Sequence, residues 1–79
     1  MEDAKFIRAF SIVLKKLRIE RRISQEELAE QAQLHPTYIS MLETQKRQPS
    51  LSTLFRISQA LNVNTDEFVR QITLELTSD

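Results

Sequence analysis

The chain has 79 residues, no Cys, no Gly and a single His, and its 11 basic residues are balanced by 11 acidic ones. This composition excludes disulfides, thiolate metal sites, Gly-rich phosphate loops and the usual nucleophile–His pairs, so we expect neither an enzyme nor a metal or cofactor site. The length fits one domain over residues 1–79. Without an apolar run of membrane-spanning length, and with a charged N-terminal segment unlike a signal peptide, we expect a soluble, cytoplasmic protein with no membrane partner.

The N-terminal segment is predicted to form an amphipathic first helix. Its apolar side chains recur every three or four residues, a spacing that places them on one face of a helix. They are Phe6, Phe10, Val13, Leu14 and Leu17. We expect this face to lie in the core and the basic side chains between them to face solvent.

A second helix is predicted to start at Ser24 and to end about two turns later. Ser24 is followed three residues on by Glu27, the spacing of a capping box, in which each side chain binds the other residue's backbone N–H. The helix has to stop before His35, because a residue that precedes proline avoids the helical region. Pro36 suits the first position of a third helix, where no N–H donor is needed. Two helices joined by so short a turn are typical of the helix-turn-helix motif, which we place at about residues 24–44.

The third helix is predicted to have two different faces. Successive side chains rotate by about 100°, so Ile39 and Leu42 point to one side, with Glu43 near them. The opposite side carries Thr37, Ser40, Met41 and Thr44, and Tyr38 lies on the flank. An ordinary solvated face would carry more Lys and Glu. This uncharged pattern therefore favours a surface that approaches a partner closely.

Two further helices complete an all-α, five-helix domain. Pro49 ends a loop that contains Lys46 and Arg47, and Ser50 can cap the fourth helix. The apolar face of that helix consists of Leu51, Leu54, Ile57 and Leu61, and the stripe of the fifth helix, at about residues 65–77, consists of Phe68, Val69, Ile72 and Leu76. Phe55 falls outside the core face of the fourth helix.

The apolar residues of the last two helices exceed what so small a core needs. We expect Phe68 to be buried and the C-terminal helix to contribute to a homodimer. The candidates for the two-fold interface are Phe55, Ile72 and Leu76. Such an interface would set the distance between two copies of the third helix.

Residues 13–69 resemble the XRE, or λ-repressor-like, helix-turn-helix family. The matching segments are SQEELAEQAQLHPTYISMLETQKRQPSLSTLFRISQALNV and the DEFV that opens the last helix. The short chain and the TYIS string are most similar to controller proteins of restriction–modification systems, and small phage-type repressors share these features. The resemblance implies a sequence-specific transcriptional regulator that binds a near-palindromic operator in double-stranded DNA as a homodimer. The third helix of each subunit would enter major grooves whose half-site centres lie about 34 Å apart.

The resemblance also implies which residues contact DNA. Base contacts are expected from Pro36, Thr37, Tyr38 and Met41, and phosphate contacts from Gln25, Ser40, Thr44, Lys46 and Arg47. His35 is a further candidate for a DNA contact, with a helix-capping or solvent-facing role as the alternative. Because no Arg lies on the groove face, we expect specificity to come largely from thymine-methyl contacts and from DNA shape.

The resemblance implies two structural features as well. Arg18, late in the first helix, and Glu43, at the end of the third, are expected to form a partly buried ion pair. Relatives commonly have Gly after the second, third and fourth helices, where the backbone is left-handed. This chain has Gln33, Gln45 and Asn62 at those places. We expect positive φ at Gln33 and Asn62, and leave Gln45 open.

A different class of function stays open at the level of sequence. A helix-turn-helix fold can serve protein contact, as in an antitoxin or an anti-repressor module, and the zero net charge and Pro36 are compatible with that use. The polar, cation-free face beside Lys46 and Arg47 favours DNA, because a protein-contact face would carry a larger apolar anchor. RNA polymerase is a further candidate partner.

Overall fold

Five α-helices account for most of the chain. The computed structural model describes residues 3–78. The helices are α1 (Asp3–Glu20), α2 (Gln25–Ala32), α3 (Pro36–Glu43), α4 (Leu51–Ala60) and α5 (Thr65–Thr77), and no strand occurs within that range. The all-α, five-helix prediction is confirmed, and α2 and α3 form the helix-turn-helix expected at about residues 24–44.

Local side-chain caps start two of the helices as predicted. Ser24 Oγ accepts a hydrogen bond from the Glu27 backbone N–H at 3.0 Å, and the Ser24 N–H donates to Glu27 Oε1 at 2.9 Å. Ser50 Oγ accepts from the Thr53 N–H at 3.1 Å. These bonds satisfy amide donors that have no partner inside the helix. Asn64, at the start of α5, makes no side-chain cap bond within the described chain.

Four helices end in a left-handed residue that is not glycine. The φ angles are 58° at Arg22, 59° at Gln33, 65° at Gln45 and 57° at Asn62. The predictions for Gln33 and Asn62 are confirmed, Gln45 joins them, and Arg22 was not foreseen. At Arg22, Gln33 and Gln45 this conformation costs roughly 1–2 kcal/mol relative to a right-handed one, because the Cβ crowds the following carbonyl oxygen, whereas Asn tolerates it at lower cost.

The same hydrogen-bond pattern closes all four ends. The residue after each left-handed position donates its N–H to a carbonyl oxygen five residues back, as in a Schellman motif. The donor and acceptor pairs are Ile23 and Arg18, Leu34 and Ala29, Lys46 and Met41, and Val63 and Ser58. Three of the donors are apolar and pack against the core, whereas Lys46 is exposed.

The core lies where α1 packs against α3 and α5, and where α2 and α4 pack against each other. Phe10 of α1 and Phe68 of α5 are fully buried, and their stacked rings lie 5.7 Å apart between centroids. The predicted apolar face of α1 is buried from Phe10 to Leu17, and Phe6 packs at its edge. Through this core, α1 supports α3 and α4 supports α2.

The structure corrects one prediction about the dimer interface. Ile72 is only 3 % exposed and belongs to the hydrophobic core, so its assignment to a two-fold interface is wrong. Ile72 lies one turn after Phe68 on the same side of α5. Helical periodicity identifies such a side but does not say which part of the molecule covers it. Leu76 is half-buried against the core. Phe55 is 51 % exposed and lies outside the core as expected. Leu51, which was expected on the apolar face of α4, is 81 % exposed and does not belong to the core.

None of the helices in residues 3–78 is both long and apolar enough to cross a membrane. Within the same range, no group of three or more His, Cys, Asp or Glu side chains could hold a metal ion.

Candidate nucleic-acid interface

The turn between α2 and α3 is built without glycine. Gln33 takes the left-handed conformation, and His35 is extended, with φ −79° and ψ 139°. His35 Nδ1 accepts a hydrogen bond from the Thr37 N–H at 3.1 Å. Pro36 occupies the first helical position, where a backbone N–H would have no partner within the helix, so its absence costs no hydrogen bond. In the structure, His35 therefore has the helix-capping role. An imidazole that accepts a hydrogen bond at Nδ1 carries its proton on Nε2.

The inner side of α3 is anchored in the core. Ile39 and Leu42 are fully buried, as the helical projection predicted. α3 packs against both α1 and α2, so its inner side is covered by two elements. The helix is only 8 residues long. Because an isolated helix of that length is unstable in water, tertiary packing has to hold it in place.

A buried ion pair fixes the C-terminal end of α3. Arg18 Nε lies 2.6 Å from Glu43 Oε2, and Arg18 Nη2 lies 3.0 Å from Glu43 Oε1. The side chains are 13 % and 3 % exposed, respectively. Arg18 Nη1 also donates to the Ile23 carbonyl oxygen at 2.9 Å. The predicted ion pair is confirmed, with the two-pronged geometry that makes guanidinium–carboxylate contacts strong.

The electrostatics of this pair favour its charged form. The hydrogen bond from Arg18 to Glu43 raises the pKa of the guanidinium, against the opposing effect of burial. The guanidinium thus stays protonated at every pH at which the protein would be handled. The positive charge of Arg18 neutralises the Glu43 carboxylate. No unpaired negative charge from Glu43 therefore lies beside the outer side of α3.

Gln25 joins the ion pair to α2, a contact that the sequence did not predict. Gln25 Nε2 donates to Glu43 Oε1 at 3.0 Å, so the ends of three helices meet at one carboxylate. We expected Gln25 to contact phosphate. In the structure, the side-chain amide of Gln25, at the first position of α2, instead hydrogen-bonds to Glu43. No local pattern signals this contact, because the two residues lie 18 positions apart.

The outer side of α3 carries the predicted reading residues. Pro36 and Thr37 are exposed, and Tyr38, Ser40 and Met41 are half-buried. Four of these five, Pro36, Thr37, Tyr38 and Met41, are the predicted base contacts. This side carries no acidic or basic side chain among the described residues of α3, since Glu43 points inward.

Thr44 closes α3 and is bound to its own helix. Its Oγ1 donates to the Ser40 carbonyl oxygen at 2.8 Å. A hydroxyl has one proton to donate, so in this conformation Thr44 has none for a phosphate oxygen. The contact of Thr44 with phosphate stays a prediction, and it would require the hydroxyl to give up this bond.

The loop after α3 brings two exposed cations beside the outer side. Lys46 and Arg47 follow the left-handed Gln45, and the Lys46 N–H donates back to the Met41 carbonyl oxygen at 2.8 Å. Arg47 Cζ lies 5.5 Å from the centroid of the Tyr38 ring. The sequence analysis predicted Arg47 and Tyr38 as DNA contacts. It did not predict that they contact each other.

A helix-turn-helix family matches residues 14–68, which include the ion pair, α2, α3 and the loop that follows. The chain belongs to the helix-turn-helix family. The predicted resemblance to that family and to its controller proteins is confirmed.

Two relatives show different extents of similarity. Control protein C.MunI from Mycoplasma sp is 41 % identical over 76 residues, which cover 95 % of this chain and 100 % of the relative. The immunity repressor protein of Bacillus phage phi105 is 38 % identical over 61 residues, 77 % of this chain. The matched part spans only 42 % of that repressor.

A solved structure has the same fold over nearly the whole chain. The restriction–modification controller protein C.Esp1396I superposes with a TM-score of 0.87 at 31 % identity, covering 94 % of this chain and 95 % of the other. The same protein has been solved as a tetramer in complex with its natural 35-base-pair operator, with a TM-score of 0.86, 32 % identity and coverage of 92 % and 96 %.

Proposed function

We propose that this protein is a controller-type transcriptional regulator that binds a near-palindromic operator as a homodimer. It is a DNA-binding helix-turn-helix regulator by family and fold, and we assign it no catalytic role. One observation carries the proposal. The inner side of α3 is fixed by buried apolar residues and by the Arg18–Glu43 pair, while its outer side is exposed, uncharged and followed by two cations.

The outer side of α3 suits direct contact with base edges in the major groove. The Thr37 hydroxyl can donate or accept, and its methyl group can meet a thymine methyl. Met41 offers only apolar contact, and Pro36 has neither a side-chain donor nor an amide N–H. Tyr38 adds a phenolic hydroxyl at the flank. Since α3 lacks a guanidinium for bidentate guanine recognition, thymine methyls and DNA deformability supply much of the specificity.

Phosphate contacts would come from both ends of the motif. Lys46 and Arg47 are exposed in the loop, and Ser40 lies at the edge of the outer side. The amino end of α2, at Gln25, favours an anion through its free amide groups and its dipole. His35 caps α3 with Nδ1, which leaves its Nε2–H as a donor for a phosphate or a base acceptor. With a formal net charge of zero, we expect weak nonspecific binding and a modest salt dependence.

Dimerisation would use the exposed apolar face of α4. Phe55 and Leu51 are 51 % and 81 % exposed, and their spacing of four residues places them on one side of the helix. Val69 of α5 is also exposed. We therefore propose that the interface contains Phe55, Leu51 and Val69, with Leu76 at its periphery. Ile72 is left out because it is buried. The operator-bound tetramer of C.Esp1396I supports assembly on DNA as a property of such proteins.

Regulation would depend on where the operator lies relative to a promoter. A dimer that covers the promoter would repress, and one bound upstream could contact RNA polymerase. Either action places the protein in the cytoplasm with its DNA. The similarity to the phi105 immunity repressor favours repression as one outcome.

Selection of binding sites from random duplex DNA by the full chain tests this function. We expect enrichment of a near-palindrome whose half-site centres lie about one helical turn, or about 34 Å, apart. Recovery of duplexes with no shared sequence would contradict the proposal.

Sedimentation analysis tests the interface. Phe55→Lys should shift the protein toward monomer and weaken operator binding. Leu74→Lys is the matched control, because Leu74 of α5, at 56 % exposed, is about as exposed as Phe55 but lies outside the proposed interface. A wild-type chain that stays monomeric at high concentration, or equal effects of the two variants, would contradict this assembly.

A further inference from the structure

The contact between Arg47 and Tyr38 links two parts of the proposed interface. Tyr38 belongs to the first turn of α3, and Arg47 belongs to the loop after that helix. The left-handed Gln45 turns the chain back along α3, and the bond from the Lys46 N–H to the Met41 carbonyl oxygen holds this turn. Arg47 thereby returns to the side of the helix on which Tyr38 lies, with its guanidinium carbon 5.5 Å from the ring centroid.

The Tyr38 ring is held by two different neighbours. It packs against the edge of the hydrophobic core, and the guanidinium of Arg47 lies over it within the range of a cation–π contact. A half-buried tyrosine has two side-chain torsions to fix, and contacts from the core and from a guanidinium restrict both. The position of the phenolic oxygen then follows from the position of the ring.

A guanidinium can serve a ring and a phosphate at the same time. It interacts with an aromatic ring through its face, while its N–H donors lie in its plane and remain free for an oxygen acceptor. An ammonium group has no such face. Arg and Lys at position 47 would therefore carry the same charge toward DNA but differ in how they hold Tyr38.

We propose that Arg47 is a positioning residue for Tyr38, which it holds so that the phenolic hydroxyl faces the operator. This inference rests on the proposed DNA-binding function. It adds that the loop cation contributes to sequence discrimination as well as to phosphate attraction. Its neighbour Lys46, for which the structure records no aromatic contact, contributes attraction alone.

Arg47→Lys separates the two roles of this residue. A cation–π contact at an exposed site is worth about 0.5–1 kcal/mol, or about 2–5-fold in an equilibrium. We expect Arg47→Lys to weaken binding to the selected operator by about 2–5-fold more than it weakens binding to unrelated duplex DNA, with an unchanged salt slope because the charge is kept. Lys46→Gln is the matched control. It should weaken binding to all sequences alike and reduce the salt slope by about one.

A double-mutant cycle tests whether Arg47 acts through the Tyr38 hydroxyl. Tyr38→Phe keeps the ring and removes the oxygen. In the Tyr38→Phe background we expect Arg47→Lys to have no further effect on the ratio of operator binding to nonspecific binding. Unchanged melting temperatures of both single variants would exclude a merely structural explanation.

Two outcomes would overturn the positioning role. One is a uniform loss of affinity for operator and unrelated DNA in Arg47→Lys, which would make Arg47 a phosphate contact only. The other is an equal loss of discrimination with and without the Tyr38 hydroxyl. Failure of the wild-type chain to select any operator would instead refute the DNA-binding function itself, so the two failures are distinguishable.

Discussion

The two sides of α3 differ in how their side chains are held. The inner side consists of fully buried apolar residues and the Glu43 carboxylate, which receives hydrogen bonds from α1 and α2. On the outer side, the hydrogen bonds at Thr37 and Thr44 stay within α3 and its cap. The inner side of α3 is thus anchored to other helices, whereas the outer side, called the uncommitted side below, makes no hydrogen bond to another helix among the described residues.

This difference implies that stability and recognition can be changed separately. Substitutions on the inner side should lower the free energy of unfolding and DNA binding together, because a displaced helix cannot present its residues. Substitutions on the outer side should change DNA binding alone. Variants on the two sides of α3 should therefore differ in whether they lower the free energy of unfolding.

Glu43→Ala tests the anchored side. It leaves the Arg18 guanidinium largely buried without its carboxylate, and breaking a buried pair in this way typically costs about 3–5 kcal/mol. We expect a loss of this size in chemical denaturation, with a parallel loss of operator affinity. Glu43→Gln keeps hydrogen-bonding capacity without the charge and should lose less. Weaker DNA binding at an unchanged melting temperature would place Glu43 on the recognition side instead.

Thr37 tests the uncommitted side. Thr37→Val keeps the methyl group and removes the hydroxyl, so operator affinity should fall by about 1 kcal/mol, or about fivefold. Thr37→Ser keeps the hydroxyl and should reduce discrimination in favour of thymine. Both variants should unfold within about 0.5 kcal/mol of the wild type, as exposed substitutions do. A large change in stability would show that Thr37 supports the fold.

His35 lies where the two sides meet, because it caps α3 and faces outward. His35→Ala should lower stability by about 1 kcal/mol through loss of the cap. His35→Asp supplies another capping oxygen and should restore stability, yet its negative charge should repel phosphate and weaken DNA binding. Thermal denaturation and mobility-shift titration measure the two effects. Equal DNA affinities for His35→Asp and wild type would argue against a DNA contact at this position.

Gln33→Gly should produce the smallest change and the only gain. Relief of the left-handed strain exceeds the disadvantage of glycine by about 0.5–1 kcal/mol, which corresponds to a rise in melting temperature of about 2–8 °C. Operator affinity should stay unchanged, because Gln33 precedes the reading helix. Gln31→Gly, two residues earlier within α2, is the matched control and should be destabilising by about 1 kcal/mol. A lower melting temperature for Gln33→Gly would contradict the strain argument.

The parts of the fold that could be predicted from sequence depend on near neighbours in the chain. The Ser24–Glu27 cap and the extended residue before Pro36 follow from spacings of one to three residues, and the structure contains both. The Arg18–Glu43 pair spans 25 positions and was predictable only through resemblance to a family.

The remaining features depend on tertiary packing. Gln25 meets Glu43, and Arg47 meets Tyr38, only because the turns bring separate segments together. Ile72 was misassigned because periodicity defines a stripe and leaves its covering element unknown. The left-handed Arg22 has no local sequence signal, because it does not occupy a place where relatives commonly have glycine.

The absence of glycine also affects the unfolded ensemble. Every residue of the 79-residue chain has a Cβ, so each samples a smaller range of backbone conformations before folding than glycine would. Less conformational entropy is then lost when the helices form. This smaller entropy loss offsets part of the steric strain at the four helix ends, where arginine, glutamine and asparagine adopt the left-handed conformation.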